Sequence, residues 1–339
     1  MILPLRNELF DRGQRDPRGS KMTDAPNRLK LYFLIGPTAC GKSGVALELA
    51  PMIGAEILCM DSMSVYREMS IISAKPTAED RASVRHHLLD LVDPDESFSV
   101  GRYVEDVDRT AREVTARGNL PLLVGGTALY LKTLTEGLFE GPPADATLRE
   151  KLKARASTDG SEALHKELQL KDHRAAEKIH PNDLRRIVRA LEVVTLTGKP
   201  ISEWQQQFGS TNEAYDCLII GLRRDRQELY ARVERRVDQM FQSGLLDEVR
   251  ALSERQPPIG KEASQALGYP ELTRYLRGES SLEEAKSLIK THTRQFAKRQ
   301  LTWFRSFRNI RWVDVSSLDA PHAVAQRIAD EYFPGILRS

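Results

Sequence analysis

The residues Gly36-Pro37-Thr38-Ala39-Cys40-Gly41-Lys42-Ser43 carry the sharpest chemical signal in this chain. They fit G-x-x-x-x-G-K-[ST] in the context that pattern needs, an apolar strand (Leu31–Ile35) entering a turn that opens a helix. The glycines let backbone N–H groups close around a phosphate chain, and the helix start favours negative charge. Lys42 can reach the terminal phosphates, and the Ser43 hydroxyl suits an accompanying Mg²⁺. The pattern specifies a polyphosphate without saying which. A nucleotide such as ATP and a prenyl diphosphate present the same oxygens to a phosphate cradle.

Asp61-Ser62 follows the apolar run Glu56–Met60, and Thr127 follows Leu120–Val124 with Gly125-Gly126 between. A carboxylate at that place can hold Mg²⁺ or take a proton from an attacking nucleophile, and it can equally cap a helix. Thr127 offers a hydroxyl at the sheet edge or, again, a cap. Basic residues cluster locally. Arg185, Arg186 and Arg189 share one helix, Arg232 and Arg236 stand one turn apart, and Ala285–Arg311 holds eight Lys or Arg and no acidic residue. Phe296, Trp303, Phe304 and Phe307 interleave that last run. Such a segment is either a solvated face with core aromatics or a surface for a polyanion and its bases. His86-His87 would point to opposite faces of a strand, which assigns the pair a structural role and not a shared metal.

The elements that must position these residues form an alternating pattern. Strands are expected at Leu31–Ile35, Glu56–Met60, Leu120–Val124 and Cys217–Gly221, with helices at Gly44–Met52 and Tyr103–Arg117. That alternation predicts an α/β fold with a doubly wound parallel sheet, whose ligands bind beyond the carboxyl ends of its strands. A charged helical stretch from Leu138 to Ser210, opened by Gly141-Pro142-Pro143, reads as an insertion. One long helix is expected over Gln227–Arg255, with Leu229, Val233, Val237, Phe241 and Val249 as its apolar stripe. The expected units are a core of residues 29–138 and 214–330 and a helical insertion of residues 139–213. Residues 1–28 read as a disordered extension, and Met22 offers an alternative start.

Length and charge bound the reading. The chain has 339 residues and a net charge of +2, so a nucleic-acid site must come from local clustering. Cys40, Cys59 and Cys217 fit neither a zinc spacing nor a disulfide framework, which points to a reducing, cytoplasmic compartment. No apolar run approaches membrane-spanning length, so no membrane partner is expected.

Taken together the motifs resemble the tRNA dimethylallyltransferase family, enzymes that prenylate N6 of an adenosine beside the anticodon. The phosphate loop, Asp61-Ser-Met-Ser-Val-Tyr66, Ala74-Lys75-Pro76 and His86-His87-Leu-Leu-Asp90 match in order. So do Leu123-Val-Gly-Gly-Thr127, His180-Pro-Asn-Asp183, Gly268-Tyr269 and Thr293-Arg294-Gln295 with Ala297-Lys-Arg-Gln-Leu-Thr-Trp303. The likeness spans about residues 31–313. It departs at Ser64, where the family usually has Gln, and at Ser70 and Ile72, where it has Asp and Gly.

The resemblance implies a core like that of P-loop NTPases, Mg²⁺ as cofactor near Ser43, and dimethylallyl diphosphate held by Gly36 to Ser43. It implies Asp61 as the base, Thr127 as an orienting group and Arg236 as a stabiliser of the leaving diphosphate. The tRNA anticodon stem-loop would meet Asp61, Ser62, Met63, Ser64 and Thr127 at the site. Arg149, Arg185, Arg186 and Arg189 of the insertion would grip it further out. A monomer is expected. The competing readings are a prenyltransferase acting on free AMP, ADP or ATP, a small-molecule kinase, and an RNA-binding protein with a vestigial loop.

Overall fold

The computed structural model describes residues 28–137, 141–204 and 212–336. The expectations for the N-terminal extension and for a boundary at Phe139 lie outside the described residues. The first part runs β1 (Leu29–Ile35), α1 (Lys42–Ile53), β2 (Ala55–Met60), α2 (Ala78–Ser83), β3 (His86–His87), α3 (Val100–Ala116), β4 (Leu120–Gly125) and α4 (Ala128–Glu136). Helices α5 (Ala146–Asp159), α6 (Ser161–Lys171), α7 (His173–Ala176), α8 (Leu184–Thr197) and α9 (Ile201–Trp204) follow with no strand among the described residues. The chain then gives β5 (Tyr215–Arg224), α10 (Arg226–Gln242), α11 (Leu245–Glu254) and α12 (Tyr269–Leu276). It ends with α13 (Leu282–Phe304), β6 (Ile310–Val315) and α14 (Pro321–Tyr332).

The strands pair in the order β3-β2-β4-β1-β5-β6, every pairing parallel. A parallel sheet needs cover on both faces, and the strand period of two supplies it. Leu31, Phe33 and Ile35 of β1 pack with Val107 of α3 and Leu131 of α4, while Leu34 packs with Leu49 of α1 and Ile328 of α14. Ile35 lies opposite both Gly125 and Gly221, and Met60 lies opposite Gly125. The segments after β1, β2 and β4 therefore emerge at one level, beside the strand where the chain order reverses.

Two helical layers complete the molecule. Val65, Tyr66, Val237, Val249, Leu272 and Ile289 form an apolar cluster beyond the carboxyl edge of the sheet. Helices α5 to α9 bury Leu152, Leu164, Leu168, Ile187 and Leu191 in a core of their own.

One sequence expectation needs correction, and one strand went unread. The long helix over Gln227–Arg255 is two helices, because Gly244 adopts φ 95° and ends the α10 register before α11 begins. Glycine takes that left-handed conformation without the strain a side chain would add. The end of the basic run forms β6, the edge strand beside β5, which period and charge had hidden.

Glu56, 5% exposed, ties β2 to its neighbours. Arg117 donates to it at 3.0 and 2.8 Å, Asn119 donates at 2.7 Å, and His87 Nε2 lies 2.6 Å away. With His86 against the Val84 carbonyl at 2.7 Å, the histidine pair has the structural role its strand position indicated. Burial alone would raise the Glu56 carboxyl, but the hydrogen bonds from Arg117, Asn119 and His87 outweigh it and hold the group at about 2. A carboxyl depressed by folding stabilises the fold above its unfolded pKa. That contribution disappears as pH falls from 4.5 to about 2. Glu56→Gln should lower the urea midpoint near neutral pH, and its gap from the unaltered protein should narrow across that acid window. A gap that stays constant down to about pH 3 would remove Glu56 from this role.

Candidate active site

The phosphate loop is shaped by contacts that no side chain at its glycines would permit. A Cβ on Gly36 would lie 2.8 Å from the Leu222 carbonyl and 2.9 Å from Cys40 Sγ. Gly41, at φ 108°, turns the chain into α1. The loop carbonyls are held from outside: Arg232 Nε donates to the Ala39 carbonyl at 2.8 Å and Arg224 Nε to the Cys40 carbonyl at 3.4 Å. Both guanidinium groups approach Gly41, each with an Nη2 at 3.8 Å from the position of an added Cβ. Lys42 Nζ lies across its own loop and donates to the Pro37 carbonyl at 2.7 Å.

Four cations thus surround one loop, with Asp61 as the acidic group of the ensemble. Burial pulls Lys42 below lysine's usual range, and Arg236 nearby pushes the same way while Asp61 opposes it. Burial lowers Arg236 as well, again opposed by Asp61. Arg232 is lowered by burial and by Arg224 and Arg235 beside it. Each of these groups gains when an anion arrives, because the cost of holding like charges together falls.

Asp61 closes a turn with one of its carboxylate oxygens. Its Oδ1 accepts from Met63 N–H at 2.8 Å and Ser64 N–H at 3.3 Å, which closes the turn after β2. Among the described residues Oδ2 has no hydrogen-bond or ion-pair partner, so one oxygen is available to a substrate proton. Thr127 stands at the start of α4, yet its hydroxyl makes no cap bond. Its Oγ1 instead accepts from Ser62 N–H at 3.2 Å, and Thr127 N–H donates to the Met60 carbonyl at 3.3 Å. The two strand ends are therefore joined directly. Beneath them Tyr103 and Tyr130 stack at 3.7 Å, and the Tyr103 hydroxyl donates to the Cys59 carbonyl at 3.1 Å. Burial, with Asp61 adding to it, pushes the Cys59 thiol up to about 12, which keeps it neutral.

Ser43 is exposed at the first turn of α1. No group of three or more His, Cys, Asp or Glu among the described residues could form a protein cage for a metal. The Ser43 hydroxyl is a single oxygen donor, of the kind a hard cation that keeps most of its waters takes.

The expected tRNA contacts fall into three settings. Ser62 and Met63 are half-buried at the turn, and Ser64 is buried. Arg149 and Arg189 both engage the fully buried Glu192, Arg149 at 2.8 and 2.9 Å and Arg189 at 2.6 Å. Arg185 and Arg186 are exposed. Arg186 meets Lys298, Arg299, Thr302 and Trp303 around an open groove of ≈ 620 Å³. Sequence reasoning missed Arg224, Arg232 and Gln300 as parts of the site. Gln300, buried on α13, contacts Thr38 and Gly126. The Arg232/Arg236 spacing was the one available signal, since it marks a face of α10 turned toward one place.

A family model described as IPP transferase matches residues 64–307, and one described as isopentenyl transferase matches residues 29–96. The chain belongs to the IPP transferase family. Its relatives in that family include the tRNA dimethylallyltransferase of Geobacter sulfurreducens, 45% identical over 89% of this chain and 98% of the relative. Another, from Symbiobacterium thermophilum, is 48% identical over 89% of this chain and 94% of its own length. The full-length tRNA isopentenylpyrophosphate transferase from Bacillus halodurans shares the fold with a TM-score of 0.65 and 41% identity, over 89% of this chain and 96% of that one. A eukaryotic dimethylallyltransferase, solved acting on tRNA, superposes with a TM-score of 0.76 at 30% identity, over 88% and 77% of the two chains. The parallel α/β core of this chain is thus the IPP transferase core, of P-loop NTPase type.

Thr127→Val keeps the side-chain volume and strips Ser62 N–H of its acceptor, at a cost of about 1–3 kcal/mol. Urea denaturation should show that loss, with Thr127→Ser close to the unaltered protein. Equal stability of all three would mean that the Ser62–Thr127 bond does not join the strand ends.

Proposed function

We propose that the chain transfers a dimethylallyl group from dimethylallyl diphosphate to N6 of the adenosine on the 3′ side of the anticodon in tRNA. One observation carries this reading: a phosphate loop ringed by Lys42, Arg224, Arg232 and Arg236 shares a sheet edge with a carboxylate that keeps one oxygen unengaged. A diphosphate leaving group and a proton-releasing amine need that pair of features side by side.

In the reaction the adenine N6 lone pair forms a bond to the allylic carbon as the carbon–oxygen bond to diphosphate breaks. Asp61 takes the N6 proton on its free oxygen. Lys42 and Arg236 receive the charge that builds on the leaving diphosphate, and the loop N–H groups fix its position. Thr127 orients the reacting groups from the facing strand end. Ser43 would hold a Mg²⁺ ion, which when bound would supply further neutralisation of that charge. The base must leave the anticodon-loop stack to reach Asp61, so it is flipped outward. The exposed Arg185 and Arg186 and the groove at Lys298, Arg299 and Trp303 suit an RNA backbone and an unstacked base. Arg149 and Arg189 shape the insertion through Glu192. The helical insertion then lies along the anticodon stem-loop, with the enzyme acting as a monomer in the cytoplasm. No helix among the described residues is long and apolar enough to cross a membrane.

Purified protein incubated with Mg²⁺, dimethylallyl diphosphate and unmodified tRNA should add an isopentenyl-sized mass to adenosine on nucleoside analysis. A gain on free AMP alone would replace this reading with that of an adenylate prenyltransferase. Asp61→Asn retains an acceptor for Met63 and Ser64 and loses the base. Turnover should fall by about 10²–10⁴-fold with tRNA affinity little changed, and undiminished turnover would defeat the assignment. Affinity for tRNA should drop steeply with added salt as phosphate contacts are screened. A flat salt response would contradict the basic surface.

A further inference from the structure

Gln300 is 6% exposed and spends both ends of its amide on the site. Its Oε1 accepts from Thr38 N–H at 2.8 Å, and its Nε2 donates to the Gly126 carbonyl at 2.9 Å. Only this amide orientation satisfies both partners, since one is a donor and the other an acceptor. The fit leaves no slack: a Cβ added to Gly126 would lie 2.4 Å from Gln300 Nε2. Thr38 belongs to the phosphate loop, and Gly126 precedes the threonine that joins Ser62. The side chain of one residue on α13 therefore connects the donor cradle to the acceptor side of the site.

We infer that Gln300 is a positioning residue that holds the phosphate loop and the Gly126–Thr127 turn in one register. The inference rests on the transfer reaction proposed above. A displacement between the two segments would move the allylic carbon relative to Asp61, and in-line displacement is sensitive to shifts of that kind. The groove residues Lys298, Arg299, Thr302 and Trp303 lie on the same helix and do not depend on the Gln300 amide. Substitution at this position should therefore act on turnover and spare tRNA binding.

Gln300→Met fills the same space without either hydrogen bond. Its kcat should fall about 10- to 100-fold, with KM for tRNA unchanged. Gln300→Glu supplies a sharper readout. An ionised carboxylate accepts from Thr38 but sets a second acceptor against the Gly126 carbonyl, whereas the protonated form restores a donor. Enclosure beside a carbonyl favours that neutral form. The ratio of the Gln300→Glu kcat to that of the unaltered enzyme should rise as pH is lowered, and the same ratio for Gln300→Met should stay flat. An unaltered kcat in Gln300→Met, a loss confined to KM for tRNA, or a pH-independent Gln300→Glu ratio would each overturn the inference. Amide hydrogen exchange tests the clamp without turnover: Thr38 N–H should exchange faster in Gln300→Met while the amides of β1 remain protected. If the unaltered chain transfers no prenyl group, the reaction itself fails, and equal Thr38 exchange in both proteins would separately overturn the clamp.

Discussion

The close approach of backbone to backbone at the carboxyl edge of the sheet is the constraint on which the rest of the site depends. Gly125 sits so tightly against β2 that an added Cβ would lie 2.0 Å from the Met60 carbonyl, and one on Gly36 would lie 2.8 Å from the Leu222 carbonyl. With no side chains to separate them, the ends of β1, β2 and β4 reach one level. The phosphate loop, Asp61 and Thr127 then stand together at that edge. The bonds from Thr127 N–H to Met60 and from Ser62 N–H to Thr127 Oγ1 are consequences of that approach, since a wider spacing would leave both donors without acceptors.

Electrostatics sets the second condition. Lys42, Arg224, Arg232 and Arg236 are brought around one loop by β5, α1 and α10. Burial lowers Lys42, Arg232 and Arg236 from their usual ranges. Arg224 is steadied by Glu228 at 2.9 Å, and Asp61 offsets part of the charge on Lys42 and Arg236. An arrangement of like charges held by packing is preorganised for an anion, because the reorganisation is complete before the anion arrives. The same preorganisation explains why the loop carbonyls of Ala39 and Cys40 are engaged by arginines. Held from behind, these carbonyls fix the conformation of the loop.

Much of this was legible in the residues. The glycine turn after β1, the strand ends at Asp61 and Thr127 and the parallel sheet follow from local patterns of glycine, apolar period and charge. The long helix was not. Gly244 is one glycine in an otherwise continuous apolar stripe, and its left-handed backbone is visible only in the structure. Strand β6 was hidden because an edge strand needs apolar residues on few positions, and Ile310–Val315 carries the exposed Arg311 and Asp314 among its apolar residues. Arg149 and Arg189 show the reverse case. Their sequence reads as free positive charge, while the fold sets both on the buried Glu192.

The sequence by itself determined the chemistry available: a polyphosphate cradle, a carboxylate and a hydroxyl at strand ends, and basic clusters beyond them. Those are properties of short segments, and short segments are governed by local geometry and residue type. Only the tertiary structure decided which of these groups work together. Gln300 reaching Thr38 across 262 positions, Arg232 reaching Ala39 across 193, and the division of Asp61 between a turn and a free oxygen all depend on contacts between distant segments. Such contacts exist only once the apolar faces of β1, α1, α10 and α13 have packed, and no local pattern encodes the distance between two residues that packing brings together.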